Sequence, residues 1–555
     1  MVIQKSLTDF PKAWTFGNYL DQDAQTAYLG IHYPMRGKQA LRPLVLALSD
    51  CDRPNVVANA LIDCGSDFDG TIDVATLKSR LARPSLVQGI YTRKMGVVGG
   101  GFITANGMHG HISDHVLPDP VTLKKLQKRT GTRGSLADWE KHVARRAYES
   151  SYCMFAIMQA LAASILGRVF EGGDEGFLIN LAGDSSRGKT TVLQAGQSVI
   201  GAGDKLSSWD QTYRSMAEEA AAFSDILLAI DDLDKMKGKS NFMKEFPTLL
   251  HMLVSGDSKL YSEVVKGSLP DLNWQFCGLT CARKPFAELA AETGNITEAN
   301  IRVRCLDMLV PSPEEGGIWD RYEGDTPSSA LSDQLKVATS QFHGALMPSW
   351  LDALYGNPAA ITDAKELIEY YCEQDGFGGS DGISTRVNKK FGLVYAAGIL
   401  AEEAGLIAWP RETMLEVVQQ LNRNSLSCLY EQPQKIRDGI AAIQALCRDK
   451  ACPVFQDQNQ PCFDDRKSAE YYVSTKGNRR NLNIMKSKFD QIFRSNHVAQ
   501  AAREILKKES IIPSGRSTTT TFQRRISIGR YKKSDRKIRY MKIDIDKLLK
   551  MGTKM

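Results

Sequence analysis

No stretch of this 555-residue chain is apolar for long enough to cross a bilayer. Its opening residues, MVIQKSLTDFPKAW, lack the apolar core of a secretion signal. Both absences predict a cytoplasmic protein with no membrane partner, whose 11 cysteines stay reduced. The cysteines are odd in number and include no CxxC pair. Cys447, Cys452 and Cys462 are loosely spaced with no histidine nearby, a pattern of buried or inert thiols rather than of zinc. Histidine is scarce, with eight in all. Three of them, His109, His111 and His115, follow the Asn106-Gly107 turn, and His109 and His111 would share one face of a strand. No carboxylate-rich set accompanies them, which points to a polar hairpin face rather than a metal site. Charge of one sign does not dominate: the net charge is +6, with 24% charged and 43% hydrophobic residues. That is the composition of a water-soluble protein, too long for one core, so three or four domains are expected.

The chain does contain Phe177-Leu178-Ile179-Asn180-Leu181-Ala182, a short apolar run of the kind found in buried parallel strands. It leads into Gly183-Asp184-Ser185-Ser186-Arg187-Gly188-Lys189-Thr190, which fits G-x-x-x-x-G-K-[ST], and then into a helix-like run through Thr191. Strand, glycine loop and helix in that order form the setting of a phosphate-binding loop. Glycines let successive backbone N–H groups turn toward phosphate oxygens, and the helix N-terminus adds partial positive charge. Lys189 would reach the β- and γ-phosphates of ATP, and the Thr190 hydroxyl would ligate Mg²⁺.

About forty residues further on, Asp225-Ile226-Leu227-Leu228-Ala229-Ile230-Asp231-Asp232 is an apolar strand ending in paired acids. Asp231 would hold Mg²⁺ and Asp232 would polarise the attacking water. Adjacent strand residues point oppositely, so the strand end must twist for both acids to face one nucleotide. The competing reading is an acidic turn, DDLDK, that caps the next helix. Gln275-Phe276-Cys277-Gly278-Leu279-Thr280 reads as another buried strand, with Thr280 placed as a polar γ-phosphate sensor. Arg302 and Arg304, in IRVRCLDMLV, would share one face of a strand, or pair with Asp307 or a nearby glutamate.

These pieces resemble a known family. GSLADWEKHVARRA, GDSSRGKTTVL, SSWDQT, LLAIDD, SGDSKLYSEVVKG, NIRVRCLDML and TRVNKKFGLVYAAGILAEEAGLIAWP are similar to the uncharacterised P-loop ATPase domain of phage and mobile-element replication proteins. That resemblance runs from about Gly134 to about Leu429. The staphylococcal cassette helicases are relatives, and the domain falls in the AAA+ class. The resemblance implies a ring-forming, DNA-dependent ATPase, with helicase activity foremost and a closed hexamer as its assembly. It also implies that Arg304 serves the nucleotide of the neighbouring subunit. Arg386 would be the lid's γ-phosphate sensor, or a solvated arginine at a helix end. Lys259 and Lys266, near the tip of an expected hairpin, would line the ring's channel and grip DNA, or be simply solvated. Two departures stand out: the family usually has Glu where this chain has Asp232, and a Ser-Thr-Gly-Glu run where this chain has Leu279-Thr280-Cys281-Ala282.

The expected architecture is α/β. A β-rich α+β domain occupies 1–130, with strand-like runs AYLGIHY, LRPLVLALSD, NVVANALIDCG and GVVGGGFITANG. A P-loop core with N-terminal helices fills 131–345, a helical lid 346–430 and a polar, irregular linker 431–480. A basic winged helix follows at 481–555, its helices at Asn483–Phe493 and His497–Lys508 and its ribbon at TTTTFQRRISIG and RKIRYMKIDI. Arg524, Arg525, Arg530, Lys532 and Lys533 crowd that ribbon with Arg536, Lys537 and Arg539, a patch suited to DNA phosphates or to a protein partner. No adequate primase signature is present, so priming would need a separate protein. An ATP-switched DNA-binding initiator or scaffold, and a defence ATPase acting on invading DNA, are the alternatives to a helicase on single-stranded or forked DNA.

Overall fold

The computed structural model describes residues 15–21, 27–34, 41–63, 87–105, 107–111, 115–170, 176–234, 242–257, 272–286, 288–289, 302–374, 382–449, 451–456, 461–463, 469–493, 496–512, 521–528 and 536–551. The chain divides into two units. One comprises 1–236, 248–283 and 303–423, the other 237–247, 284–302 and 424–555.

The first unit opens with β1 (Thr15–Asp21), β2 (Ala27–Pro34), β3 (Leu41–Ala47), β4 (Val87–Thr92), β5 (Gly96–Val98), β6 (Gly101–Thr104), β7 (Gly107–His109) and β8 (His115–Pro118). Five of these make a mixed sheet in the order β3-β2-β1-β4-β8, and β5-β6-β7 form a small antiparallel sheet in which Gly99 and Gly100, both at positive φ, turn between β5 and β6. NVVANALIDCG is not a strand. Residues Pro54–Asp63 are a helix, because proline starts it and Val57 and Leu61, four apart, are both fully buried. β7 ends at His109, whose Nδ1 lies 2.7 Å from Asp352 Oδ1, and among the described residues no cluster of metal-binding side chains occurs.

A second sheet of the same unit contains β9 (Phe177–Ala182), β10 (Ser207–Ser208), β11 (Leu227–Asp231), β12 (Cys277–Ala282) and β13 (Cys305–Leu309). All pairings are parallel, in the order β10-β11-β12-β9-β13. β9 and β12 are buried at every position, as a parallel sheet covered on both faces requires. The Ser151–Ala162 helix, buried along its whole length, packs against the Lys189–Gln197 and Gly382–Glu403 helices. Upstream, Ser135 caps Leu136–Trp139 through a capping box with Asp138, and Trp139 Nε1 donates to Ser198 Oγ at 3.1 Å. Because the strands are parallel, all their C-terminal ends, and the loops that follow, lie at one edge.

The opposite edge holds the small N-terminal sheet. Asp225 has φ +58° and is buried. Its Oδ2 accepts from the Val97 N–H at 3.2 Å and the Ser224 hydroxyl at 3.0 Å. Gly96, at φ +92°, must be glycine: a Cβ there would lie 2.3 Å from Asp225 Oδ2. Burial pushes the Asp225 carboxyl up to about 6 despite those donors and nearby Lys94. The folded chain therefore holds this proton more tightly than the unfolded chain does. The resulting stabilisation is full below the ordinary aspartate range near 4 and is lost as pH rises through about 6. Asp225→Asn, which tolerates positive φ, should gain about 1–1.5 kcal/mol relative to wild type between pH 5 and pH 7.5. Thermal melts of both proteins across that range check it; a difference that stays constant with pH would refute the assignment.

The Arg411–Arg448 helix crosses the expected lid–linker boundary near 430. Ile436, Ile440, Ile443 and Cys447 form a buried stripe at helical spacing. The stretch expected as an irregular linker is thus core helix up to Arg448, and continues into strands. In the second unit β14 (Val454–Gln456), β15 (Cys462–Phe463), β16 (Tyr471–Lys476), β17 (Arg479–Met485), β18 (Thr521–Ile528) and β19 (Arg536–Asp544) form one sheet, β14-β16-β17-β19-β18-β15. Asn483–Met485 belong to β17, and the first expected helix is Lys486–Ile492. Leu482 and Ile484 alternate into the helix-packed core, while Asn483, on the other face, is buried as well and donates from Nδ2 to Ser474 Oγ at 2.9 Å, a period-2 strand pattern. The second helix, Asn496–Lys508, and the β18–β19 ribbon form as expected, within a six-stranded sheet.

Candidate functional site

At the C-terminal edge of the parallel sheet, β9 runs into a loop that turns sharply at Ser186 (φ +65°) and Gly188 (φ +86°). Only the second needs glycine for space as well as conformation, since a Cβ would lie 2.6 Å from Ile318 Cδ1. Lys189 opens the next helix and folds back over the loop, donating from Nζ to the carbonyls of Gly183 and Asp184, both at 2.6 Å. Burial lowers the pKa of its ammonium. Arg187 braces the loop: Nη1 donates to Val310 O at 2.6 Å and Nη2 to Asp184 Oδ2 at 2.6 Å.

β11 ends at Asp231, and Asp232 takes φ +49°. That left-handed residue is the twist the paired acids need in order to face one cleft. Asp231 Oδ1 lies 3.4 Å from Thr190 Oγ1, and Asp232 Oδ1 accepts from Asp234 N–H at 3.1 Å. A cleft of about 280 Å³ is lined by Ser185, Ser186, Gly188, Lys189, Thr190, Thr191, Asp231, Asp232, Asp234, Cys281, Ala282, Arg283 and Lys336. Its lining combines Lys189, Arg283 and Lys336 with the carboxylates of Asp231, Asp232 and Asp234 at the N-terminus of the Lys189–Gln197 helix, so the cleft suits a polyphosphate with a divalent cation. Thr190 and Asp231 are hard oxygen donors close enough to share a Mg²⁺ shell.

Of the loop residues expected to bind phosphate, Gly183, Asp184 and Arg187 shape the cleft without lining it. Thr280 does not reach it. The residue is fully buried; its hydroxyl donates to Ile230 O at 2.7 Å and accepts from Trp209 Nε1 at 2.9 Å. The sensor role therefore does not fit Thr280, whose hydroxyl ties β11, β12 and the segment after β10 together. The next residue, Cys281, faces the cleft, with Sγ 3.5 Å from Asp231 Oδ1. Burial pushes its thiol up to about 12, so it stays protonated and donates to Asp231. Thr280→Val should cost about 1–3 kcal/mol by stranding the Trp209 N–H. Its turnover of ATP per folded molecule should stay within a few-fold of wild type. Melting curves with ATPase assays test this, and a hundredfold loss of turnover at unchanged stability would restore the sensor role.

Arg302 and Arg304 precede β13 rather than lying on it: Arg302 is helical, Arg304 is in a turn, and Arg302 Nη2 donates to Leu429 O and, at 3.2 Å, to Cys428 O. The period-2 argument for a shared face does not apply. Arg304 O accepts from Leu178 N–H at 2.8 Å, at the beginning of β9. The glycine loop begins after Ala182, so Arg304 sits about 15 Å along the sheet from the edge that carries this cleft. Arg386 is exposed in the first turns of the Gly382–Glu403 helix and does not line the cleft. Lys259, Lys266, Arg530, Lys532 and Lys533 lie outside the described residues; Arg524 and Arg525 are on β18. Sequence reasoning missed Cys281, Asp234, Arg283 and Lys336. Asp234 and Arg283 follow the ends of β11 and β12, and Cys281 lies on β12 beside Thr280, but nothing local marks Lys336.

The chain carries an α/β ATPase-like core. A family described only as a domain of unknown function (DUF927) matches residues 57–267, which include the P-loop and β11 but stop before β12. Among solved structures, the chain is similar to "SCCmec type IV Cch - active helicase", with a TM-score of 0.56 and 15% identity over 96% of this chain and 93% of that one. At that identity the likeness is one of fold. No curated protein sequence matches the chain.

Proposed function

We propose that this protein is an ATP-dependent DNA helicase or translocase of a phage or mobile genetic element, acting as a hexameric ring in replication. The observation that carries the reading is the meeting of Thr190 and Asp231 at 3.4 Å beside a lysine-bearing phosphate loop. In the reading, Thr190 and Asp231 hold Mg²⁺, which neutralises phosphate charge when bound. Lys189 contacts the β- and γ-phosphates, and Asp232 orients a water for attack. Arg304, remote from its own cleft, acts on the neighbour's nucleotide, which makes oligomerisation a condition of turnover. The fold likeness to a protein titled an active helicase supports the same direction.

A second reading, an ATP-switched DNA-binding initiator, is favoured by one observation. The Asp232 carboxylate accepts the Asp234 N–H and so also serves as a turn cap. A forked-duplex experiment separates the two. ATP-dependent strand displacement with DNA-stimulated hydrolysis is expected of the helicase; nucleotide-dependent DNA binding without displacement would leave the initiator. Purified protein that neither binds nor cleaves ATP in the presence of DNA would end both.

A further inference from the structure

The basic segment of the second unit that the structure describes in full is not the β18–β19 ribbon but the hairpin of β16 and β17. Tyr471–Lys476 pairs antiparallel with Arg479–Met485, ending on Lys476 opposite Arg479 and Thr475 opposite Arg480. The turn has two residues, Gly477-Asn478, with Gly477 at φ +58°; glycine first in such a turn is the type II′ pattern of tight hairpins. Residues 476 to 480 are all exposed. Three of those five carry positive charge, none is acidic, and among the described residues none of the three forms an ion pair.

Two geometric facts give the tip a use. Pairing of β17 with β19 stops at Asn481 opposite Asp544, so Arg479 and Arg480 extend past the end of that neighbour by two residues, roughly 7 Å. Strand alternation also splits the charges, with Lys476 and Arg479 on one face of the hairpin and Arg480 on the other. Below the tip, Val473 and Leu482 are buried in the helix-packed core, and Tyr472 in an aromatic cluster with Phe463 and Tyr540, so the ribbon has a rigid base. On the other side β14 pairs with β16 as far as Gln456 opposite Thr475, so Lys476 lies one residue beyond the end of β14, as Arg479 and Arg480 lie beyond that of β19. A short, anchored tip at a sheet edge with cations on both faces can seat in a nucleic-acid groove and meet phosphates.

We propose that Lys476, Arg479 and Arg480 form a duplex nucleic-acid contact, with the hairpin tip seated in a groove. The proposal rests on the nucleic-acid reading above, yet is separable from it. The test uses the full chain with all three residues changed to alanine, and fluorescence anisotropy with a labelled duplex and with one of its single strands. A labelled ATP analogue checks that the ATPase core is intact. The expected result is at least a tenfold loss of duplex affinity, a log–log salt slope shallower by about 2 to 3, a smaller loss on the single strand and unchanged nucleotide binding. Arg479→Gln and Arg480→Gln, each keeping a polar side chain in the exposed turn, should each flatten the slope by about one. Unchanged duplex affinity and slope in all these variants would overturn the hairpin contact and leave the proposed function standing. An equal loss on duplex and single strand would overturn the groove. Wild-type protein that binds ATP but no nucleic acid would instead overturn the translocase reading, and the hairpin with it.

Discussion

Lys189→Ala is expected to abolish ATP hydrolysis and weaken ATP binding about 10- to 100-fold, the largest single effect of any substitution in this chain. The side chain is nearly buried, and its ammonium is held by two backbone carbonyls of the loop that it closes. Those are neutral acceptors. A phosphate oxygen is a charged one, and exchanging carbonyls for phosphate gives Lys189 a stronger partner without moving it out of the cleft. Burial adds to the effect, because a cation already disfavoured by desolvation gains more from an anion than an exposed one does. Alanine would remove both the phosphate contact and the bridge across Gly183 and Asp184. Equilibrium binding of a fluorescent ATP analogue and phosphate release measure the two losses separately. Lys189→Arg should not rescue either, since the planar guanidinium is bulkier than the ammonium this cage encloses. If Arg304 works across subunits, mixing Lys189→Ala with Arg304→Ala should recover part of the turnover that each lacks alone. Near-normal hydrolysis by Lys189→Ala would remove the cleft from consideration as an ATPase site.

The parts of this cleft that could be read from the chain were those whose geometry is local. The phosphate loop needs a glycine at Gly188 and a lysine directly after it, and both needs are met within eight residues. The acid pair was legible as a strand ending in two carboxylates, and the requirement for a twist led directly to the left-handed Asp232. Thr280 was misread because β12 is buried on both faces, so no alternation of polar and apolar residues showed which side faced the nucleotide. A shift of one residue exchanges Thr280, bonded to Trp209, for Cys281, beside Asp231. Lys336 comes from a helix remote in sequence and enters the cleft only through tertiary packing. Elsewhere the errors were of period. Pro54–Asp63 has enough valine and leucine to pass for a strand, and the Ile436-Ile440-Ile443-Cys447 stripe is sparse enough among polar residues to pass for a linker. Arg302 and Arg304 were assigned to a strand that starts one residue later, at Cys305.

The second large effect is expected at Asp232, and the choice of substitution decides what it can prove. Alanine would be uninformative, because a φ of +49° strains any residue but glycine, asparagine or aspartate, and loss of activity would then report loss of the twist. Asparagine keeps the backbone conformation and can still accept the Asp234 N–H, so the turn survives while the proton acceptor does not. If Asp232 orients and deprotonates the attacking water, Asp232→Asn should lower turnover by about 10²- to 10⁴-fold with ATP affinity within a few-fold of wild type. If the carboxylate serves only to cap the turn, Asp232→Asn should hydrolyse ATP almost normally, and the general-base role would then be withdrawn. Asp232→Glu supplies the opposite sign. Glutamate adds one methylene, the length the resembling ATPases usually have, but it cannot cap the turn in the same way and tolerates positive φ less well. Faster turnover on that replacement would mean that reach to the water limits hydrolysis; slower turnover would mean that the shorter acid is matched to its left-handed position. Single-turnover hydrolysis, alongside binding of the ATP analogue, distinguishes these outcomes because it separates the chemical step from nucleotide exchange.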